Sequence, residues 1–378
     1  MIIGFDGSRA FLNIKTGTEN YSYQLLKALS RLQSPGGEAT GGQARIDHKN
    51  IYKIFIQKAA ILEKFPDNFQ FIVIDWPRFW TQGGLALKTF TGKLDLLFVP
   101  AHTIPLIRKP GLKTVVTVHD LGSEYLPSLH QLKQRFYLGL MQKYQLKTAT
   151  KIMAVSKATK DDLVKKIGID SEKITVIYEG FDKELFKPIK NDLLNNRLKY
   201  YELEKEKYFL FIGTVQPRKN LGRLIKAFAI SSQGVTKLAI VGQKGWMSEE
   251  IYNLPKKLGI EEKVKFLGYV PSNDLPALYC GAKALLFPSL FEGFGLPILE
   301  AQACGCPVLT SQISSMKEIA GQAAILVNPD DVDDIVKGMK RLQGTGYREQ
   351  LIKKGFENIK KFSWEKCARE TLTILEQI

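Results

Sequence analysis

Short apolar runs alternate with longer amphipathic stretches along this chain, and that alternation restricts its fold more than any other feature. Runs such as 208–213 (YFLFIG) and 284–288 (ALLFP) put apolar residues at consecutive positions rather than at every second one. Consecutive apolar positions suit strands covered on both faces, and helices are what cover them. The pattern predicts α/β architecture with parallel sheets. Strands are expected at 2–6, 51–56, 69–74, 94–100, 114–119, 152–156 and 174–178, then at 208–213, 237–242, 264–268, 284–288, 307–310 and 325–327. Helical spacing joins Tyr21, Leu25, Leu26, Leu29 and Leu32, and again Leu221, Leu224, Ile225 and Phe228.

The chain has 378 residues, which at roughly 100–200 residues per domain suggests two or three domains. Residues 33–50 are rich in Gly and polar residues and read as a surface loop. Residues 181–207 are polar and charged, carry Pro188 and Asn195-Asn196, and read as a connection. The domain boundary is placed there, giving Rossmann-like halves at 1–186 and 187–362. Residues 363–378 have helical apolar spacing through Trp364, Cys367, Leu372 and Leu375.

With 44% hydrophobic and 24% charged residues, the chain is excluded from the disordered, collagen-like and coiled-coil classes. Four cysteines are too few for a disulfide scaffold and fit a reducing compartment. The start, MIIGFDG, lacks a basic leader before an apolar run. No stretch reaches the roughly 18 apolar residues needed to span a bilayer. These observations predict a cytoplasmic protein, with peripheral contact on the inner face of the membrane left open.

The formal charge is +16, from 54 basic and 38 acidic residues. It is distributed along the chain. Residues 101–150 hold seven cations (Arg108, Lys109, Lys113, Lys133, Arg135, Lys143, Lys147) against Asp120 and Glu124. Leu126, Leu129, Leu132, Phe136, Tyr137 and Leu140 lie among them. Such a balance favours anionic partners such as nucleotides, lipid headgroups or nucleic acid, and an ordinary solvated surface has the same composition.

Four segments carry candidate chemistry. The strongest is Phe291-Glu292-Gly293-Phe294-Gly295-Leu296-Pro297-Ile298-Leu299-Glu300, at a strand end that opens a helix. Its glycines permit close backbone approach, Pro297 suits a first helical turn, and a helix start presents N–H groups to an anion. Two carboxylates at this spacing fit a ligand with separate polyol groups. The second is Gly213-Thr214-Val215-Gln216-Pro217-Arg218-Lys219-Asn220, where a glycine loop brings two cations suited to phosphate. The third is Thr16-Gly17-Thr18, whose glycine can admit a phosphate to backbone N–H groups. The fourth is His119-Asp120 at the carboxyl end of a strand, where open α/β sheets gather ligands. Cys304-Gly-Cys306 has no further Cys/His set to complete a zinc site. Asp330, Asp331, Asp333 and Asp334 follow Pro329 and read as helix-capping acids.

Taken together these residues resemble the retaining glycosyltransferases of the GT-B fold, specifically family 4. The E-x7-E motif and the following strand are similar over 292–308. Residues 154–163 and 177–182 look like two further family landmarks, and 211–221 looks like its phosphate loop. The resemblance implies two Rossmann-like domains facing a central cleft, with 363–378 crossing back to the N-terminal, acceptor-binding domain. It implies a nucleotide-sugar donor held by Gly17, Gly213, Arg218, Lys219, Glu292, Gly293, Phe294, Gly295, Leu296 and Glu300. His119, Glu292, Arg218 and Lys219 are the implied catalytic set. Arg218 and Lys219 would neutralise the diphosphate, Glu292 would meet the sugar hydroxyls, and Glu300 the ribose. Many members carry Arg directly after the loop glycine, where this chain has Thr214. Hexosyl transfer with retained configuration follows, without a metal or other cofactor, onto a glycan or lipid-linked acceptor in bacterial surface polysaccharide synthesis. His119-Asp120 and the glycine-loop context look like bacterial mannosyltransferases of the family, which favours GDP-mannose. Alternative readings are a nucleic-acid-binding protein, for which no recognisable motif is present, and a noncatalytic binder of sugar nucleotides.

Overall fold

The protein is described here by a computed structural model covering residues 1–12, 17–33, 50–58, 64–76, 78–101, 103–121, 143–231 and 237–378. The chain divides into two units. The first is Met1–Gly180 with Ser363–Ile378, and the second is Phe181–Phe362.

The first unit holds a seven-stranded sheet in the order β3-β2-β1-β4-β5-β6-β7. Its strands are β1 (Ile2–Asp6), β2 (Ile51–Ile56), β3 (Phe69–Val73), β4 (Leu96–Val99), β5 (Lys113–Val118), β6 (Lys151–Ala154) and β7 (Ile174–Val176). The second holds six strands in the order β10-β9-β8-β11-β12-β13. These are β8 (Tyr208–Ile212), β9 (Lys237–Val241), β10 (Val264–Gly268), β11 (Ala284–Phe287), β12 (Val308–Ser311) and β13 (Ala324–Val327). Every pairing is parallel. All thirteen overlap the runs expected from sequence, with ends shifted by at most two residues.

The consecutive apolar spelling has the expected cause. Central strands β4 and β11 are buried at every position, and Tyr208, Phe209, Leu210 and Phe211 of β8 are at most 1% exposed. Each such side chain contributes roughly 1.5–3 kcal/mol by leaving water. The edge strands β3 and β10 are only partly covered. In both sheets the strand order reverses once, between β1 and β4 and between β8 and β11. Beyond the carboxyl ends of the strands at such a reversal, the connecting loops diverge and leave a crevice.

Two sequence expectations change. Residues 181–207 are not a bare connection: they contain the helix Asn191–Tyr200, anchored by buried Leu194 and Leu198. One i,i+4 apolar pair among charged neighbours leaves too narrow a stripe to read as a period. The change of unit also falls after Gly180, ahead of the boundary drawn at 186/187. Phe186 explains the shift, because its ring packs edge-on against Tyr279 of the second unit at 6.0 Å. Most of the expected loop at 33–50 lies outside the described residues. So do residues 122–142, which contain Lys133, Arg135 and the apolar residues from Leu126 to Leu140.

The helix Trp364–Gln377 is capped by Ser363, whose side chain accepts from the Lys366 N–H. It lies in the first unit beside the helix Gly17–Leu32, with the Tyr21 and Trp364 rings 5.8 Å apart. Among the described residues, no helix is long and apolar enough to cross a membrane. All four cysteines are free thiols.

Candidate functional site

In the second unit, two loops leave the carboxyl ends of the adjacent strands β8 and β11 and are bound together. The β8 loop ends in the turn Pro217–Lys219 and then Asn220, which sits in the left-handed region at φ 61°. Asn tolerates that conformation better than most residues. Its side-chain amide donates to the carbonyls of Pro288 (3.0 Å) and Pro329 (2.6 Å), joining the exits of β8, β11 and β13. The Leu290 N–H donates to the Arg218 carbonyl at 2.8 Å.

This frame brings together three of the residues selected from sequence. Glu292 Oε2 accepts from Arg218 Nη1 at 2.9 Å, and Oε1 accepts from Lys219 Nζ at 2.5 Å. Arg218 Nη1 also donates to the Phe291 carbonyl at 3.0 Å, and Lys219 Nζ lies 5.1 Å from the Phe287 ring centroid. Burial by itself would raise the Glu292 pKa. The charges of Lys219 and Arg218, with the Lys219 hydrogen bond, outweigh it and hold the carboxyl below its ordinary value. Two cations against one carboxylate leave a net charge of +1 at the strand edge. Lys219 and Glu292 are only 8% and 7% exposed. Mutual pairing allows both charged side chains to be buried.

Below the pair, Ser314 Oγ and Ser315 Oγ donate to the Glu292 carbonyl at 2.7 and 2.9 Å, and Ser315 Oγ is also 2.9 Å from the Phe294 carbonyl. Gly293 and Phe294 are buried, and the Phe294 ring packs edge-on against Phe362 at 6.0 Å. Gly295 takes φ 107° and precedes the helix Leu296–Ala303, with Pro297 in its first turn. That backbone angle is why a glycine is needed there. Gly213 follows β8 at φ 149°, and Gly242 follows β9 at φ 146°. A Cβ on Gly242 would lie 2.0 Å from the Gly213 carbonyl oxygen, so Gly242 sets the path of the β8 loop.

Glu300 stands apart from this group, farther along the helix and half-buried. Its Oε2 accepts from the Tyr279 hydroxyl at 2.8 Å. Burial raises its pKa to about 7; the Tyr279 hydrogen bond pulls it down and the charge of Asp182 pushes it up. Burial, followed by the Glu300 charge, puts the Tyr279 phenol well above its ordinary value, so it remains a donor. The two glutamates of one motif are thus driven in opposite directions.

The other candidates follow β1 and β5 of the first unit. Gly17 opens the helix Gly17–Leu32, and a Cβ there would meet nothing within 4 Å. Thr16 lies outside the described residues. His119 follows β5 and is 8% exposed. Its Nδ1 is 3.1 Å from Glu179 Oε1, and its Nε2 is 3.0 Å from the Pro100 carbonyl. Two acceptors suit a ring protonated at both nitrogens. Burial opposes that charge, but Glu179 and the Pro100 carbonyl prevail and raise the pKa above its ordinary value. Glu179, noted only as part of a landmark, is therefore the partner of His119. The landmark at 154–163 also has a structural explanation: Ser156 caps the helix Lys157–Asp162, and Thr159 Oγ1 donates to the His119 carbonyl at 3.2 Å.

Asp331 caps the helix Val332–Arg341 by accepting from the N–H groups of Asp333 and Asp334, and Asp330 pairs with Arg223 at 3.1 Å. Asp334 accepts from the Asn328 N–H. Sequence reading passed over Asn220, Tyr279, Gly242 and Ser315 as site-shaping residues. Asn220 after a basic pair was the one local signal; the others act through contacts distant in sequence.

Two all-parallel sheets, each reversing once, are the Rossmann-like pair from which the GT-B fold is built. Residues 195–358 match the family model described as Glycosyl transferases group 1, and residues 16–185 match Glycosyltransferase Family 4. The chain belongs to this family of GT-B glycosyltransferases. It is 31% identical to O-antigen chain mannosyltransferase B of Escherichia coli over 264 residues, 69% of each chain. It is also 31% identical to O-antigen chain mannosyltransferase RfbU of Salmonella typhimurium over 283 residues, covering 73% of this chain and 74% of the relative. Its fold is similar to that of Alr3699/HepE from Anabaena, solved with UDP-glucose, at TM-score 0.73 and 18% identity over 100% of this chain and 99% of that one.

Proposed function

We propose that this glycosyltransferase moves a mannosyl group from GDP-mannose to a glycan or lipid-linked glycan, with retention of configuration, in the synthesis of a bacterial surface polysaccharide. The observation that carries the donor reading is the Arg218–Glu292–Lys219 cluster, with its net charge of +1 at a strand-order reversal. Loss of a nucleoside diphosphate develops negative charge on the leaving oxygens. Cations already fixed in place stabilise that charge without reorganising during the reaction. Arg218 and Lys219 are fixed by Glu292, and the helix start after Gly295 adds backbone N–H groups. Each Glu292 oxygen has a second lone-pair direction for a sugar hydroxyl. Glu300 is assigned to the ribose, Gly17 to the phosphate side, and His119 to the transferred sugar. The leaving phosphate helps deprotonate the acceptor on the same face. The names of the two mannosyltransferase relatives support mannose as the transferred sugar.

A thermal-shift panel of GDP-, UDP- and ADP-sugars tests the donor. GDP-mannose is expected to raise Tm, with GDP competing, and product NMR is expected to give the retained anomer. A shift with UDP- or ADP-sugars alone overturns the GDP assignment, and binding without turnover overturns catalysis. Transfer is expected to survive EDTA, because Arg218 and Lys219 supply the charge that a bridging cation otherwise would. Activity lost in EDTA and restored by magnesium or manganese overturns that reading.

Glu300 makes donor affinity dependent on pH. Its ionised form accepts from ribose hydroxyls more strongly than the neutral acid does, so affinity is expected to fall as pH drops through about 7. Tyr279→Phe removes the hydrogen bond that restrains the pKa. Its loss raises the Glu300 pKa further, so less of the carboxylate is ionised near pH 7 and donor affinity there is expected to fall below the parent's. Titration calorimetry with GDP across pH 6–9 checks this; an unshifted midpoint in Tyr279→Phe removes Tyr279 from the site.

A further inference from the structure

Cysteines gather in the second unit beside the segment that holds Glu300. Cys280 adjoins Tyr279 in the helix Leu275–Gly281. Cys304 caps the carboxyl end of the helix Leu296–Ala303, about one turn beyond Glu300. The Cys280 thiol lies 3.4 Å from the Cys304 carbonyl and 3.8 Å from that of Lys187. The thiols of Cys280 and Cys304 are also within hydrogen-bond reach of each other. Cys306 turns away, with its thiol 3.6 Å from the Pro307 carbonyl.

Cys280 and Cys304 differ in the ways that separate an attacking thiol from a resolving one. Cys280 is half-buried and Cys304 buried. The hydrogen bond with Cys304 lowers the Cys280 pKa. Burial opposes this, while the Ile189 backbone and the charge of Lys205 add to the lowering. The same hydrogen bond raises the Cys304 pKa, and burial raises it further. Burial also raises that of Cys306. The thiolate is the reactive form of cysteine, and here it is favoured on the sulfur that solvent reaches.

We propose that Cys280 and Cys304 form a reversible disulfide on exposure to a peroxide, and that this bond weakens donor binding through Tyr279 and Glu300. The second half rests on the assignment of Glu300 to the donor. The Cys280 thiolate attacks one oxygen of hydrogen peroxide. The O–O bond breaks, hydroxide departs and takes up a proton, and the sulfur, oxidised by two electrons, becomes a sulfenic acid. The Cys304 sulfur then gives up its proton and attacks the Cys280 sulfur. The S–O bond breaks, and the departing hydroxide takes that proton. Two thiols and one peroxide thus give one disulfide and two waters, and a dithiol reductant reverses the step by exchange. Bonded sulfurs lie about 2.05 Å apart, closer than a hydrogen-bonded pair. Closing the bond draws the two helix ends together at residues adjoining the Tyr279–Glu300 hydrogen bond.

The test treats the reduced full chain with hydrogen peroxide and maps its peptides by mass spectrometry without reductant. A crosslinked Cys280–Cys304 peptide is expected, with free thiols falling from four to two and returning in dithiothreitol. GDP affinity, measured by calorimetry on the same samples, is expected to fall about two- to tenfold on oxidation, the scale of one hydrogen bond, and to recover on reduction. Cys280→Ser is expected to give no crosslink and to keep parental affinity before and after peroxide. Cys304→Ala is expected to leave Cys280 as a sulfenic acid that dimedone traps. Absence of the crosslink in the parent, a linkage to Cys306 in its place, or equal GDP affinity before and after oxidation overturns the proposal. The peptide map does not depend on nucleotide, so a reduced parent that fails to bind GDP refutes the GDP assignment and not the disulfide.

Discussion

Glu292→Gln is expected to reduce sugar transfer by about 10²–10³, equivalent to about 2.7–4 kcal/mol of lost transition-state stabilisation. The neutral amide cannot hold both Arg218 and Lys219 by charge, so the two cations proposed to meet the diphosphate are no longer fixed in place. Lys219→Ala is expected to act at a similar scale by removing one of the cations. Burial of the pair adds a second consequence. Removing one partner of a buried pair strands the other charge at a cost of about 3–5 kcal/mol. Lys219→Ala is the milder case, because Arg218 continues to hold Glu292. Initial rates at saturating donor, with Tm recorded on each variant, separate the two effects. A folded Glu292→Gln enzyme with parental turnover would remove this residue from the site.

The carboxylates of the motif also predict opposite acid responses. Glu292 has a folded pKa below its ordinary 4.5, so the stability it contributes is complete above that value. It is lost as pH falls through the folded pKa. Glu300 has a folded pKa raised from 4.5 to about 7. Its contribution is complete below 4.5 and is lost as pH rises toward 7.

Gly242→Ala is the substitution expected to damage the structure most. The position requires φ 146°, and the added methyl would lie 2.0 Å from the Gly213 carbonyl oxygen and 3.2 Å from the Thr214 nitrogen. An unsuitable backbone region costs about 1–3 kcal/mol, and overpacking adds about 1–3 kcal/mol. The clash is with the backbone of the β8 loop, which carries Arg218 and Lys219, so relief that moves this loop displaces both cations. Urea unfolding is expected to show a loss of about 2–6 kcal/mol, accompanied by loss of the nucleotide-sugar thermal shift. Gly346→Ala serves as the comparison, since a Cβ there meets nothing within 4 Å and the residue lies outside the proposed donor site. Parental stability and donor binding in Gly242→Ala would show that the loop does not depend on this contact.

Sequence alone determined the strands, their parallel arrangement and the segments that carry the candidate site. These follow from local physics. A strand buried on both faces must be apolar at successive positions, and 208–213 and 284–288 spell this out directly. A loop that opens a helix after such a strand needs residues like Gly295 and Pro297. The helix Asn191–Tyr200 escaped because only Leu194 and Leu198 turn inward. Tertiary structure decided which selected side chains meet. Residues 218 and 292 are brought within 2.9 Å because β8 and β11 are neighbours in the sheet, although the chain visits β9 and β10 between them. The same holds for His119 with Glu179, Tyr279 with Glu300, and Gly242 with Gly213. Each pairing depends on sheet order and on the burial that shifts charge and hydrogen bonding. Neither quantity is written in the spacing of residues along the chain, because both arise only when distant segments share one low-dielectric interior.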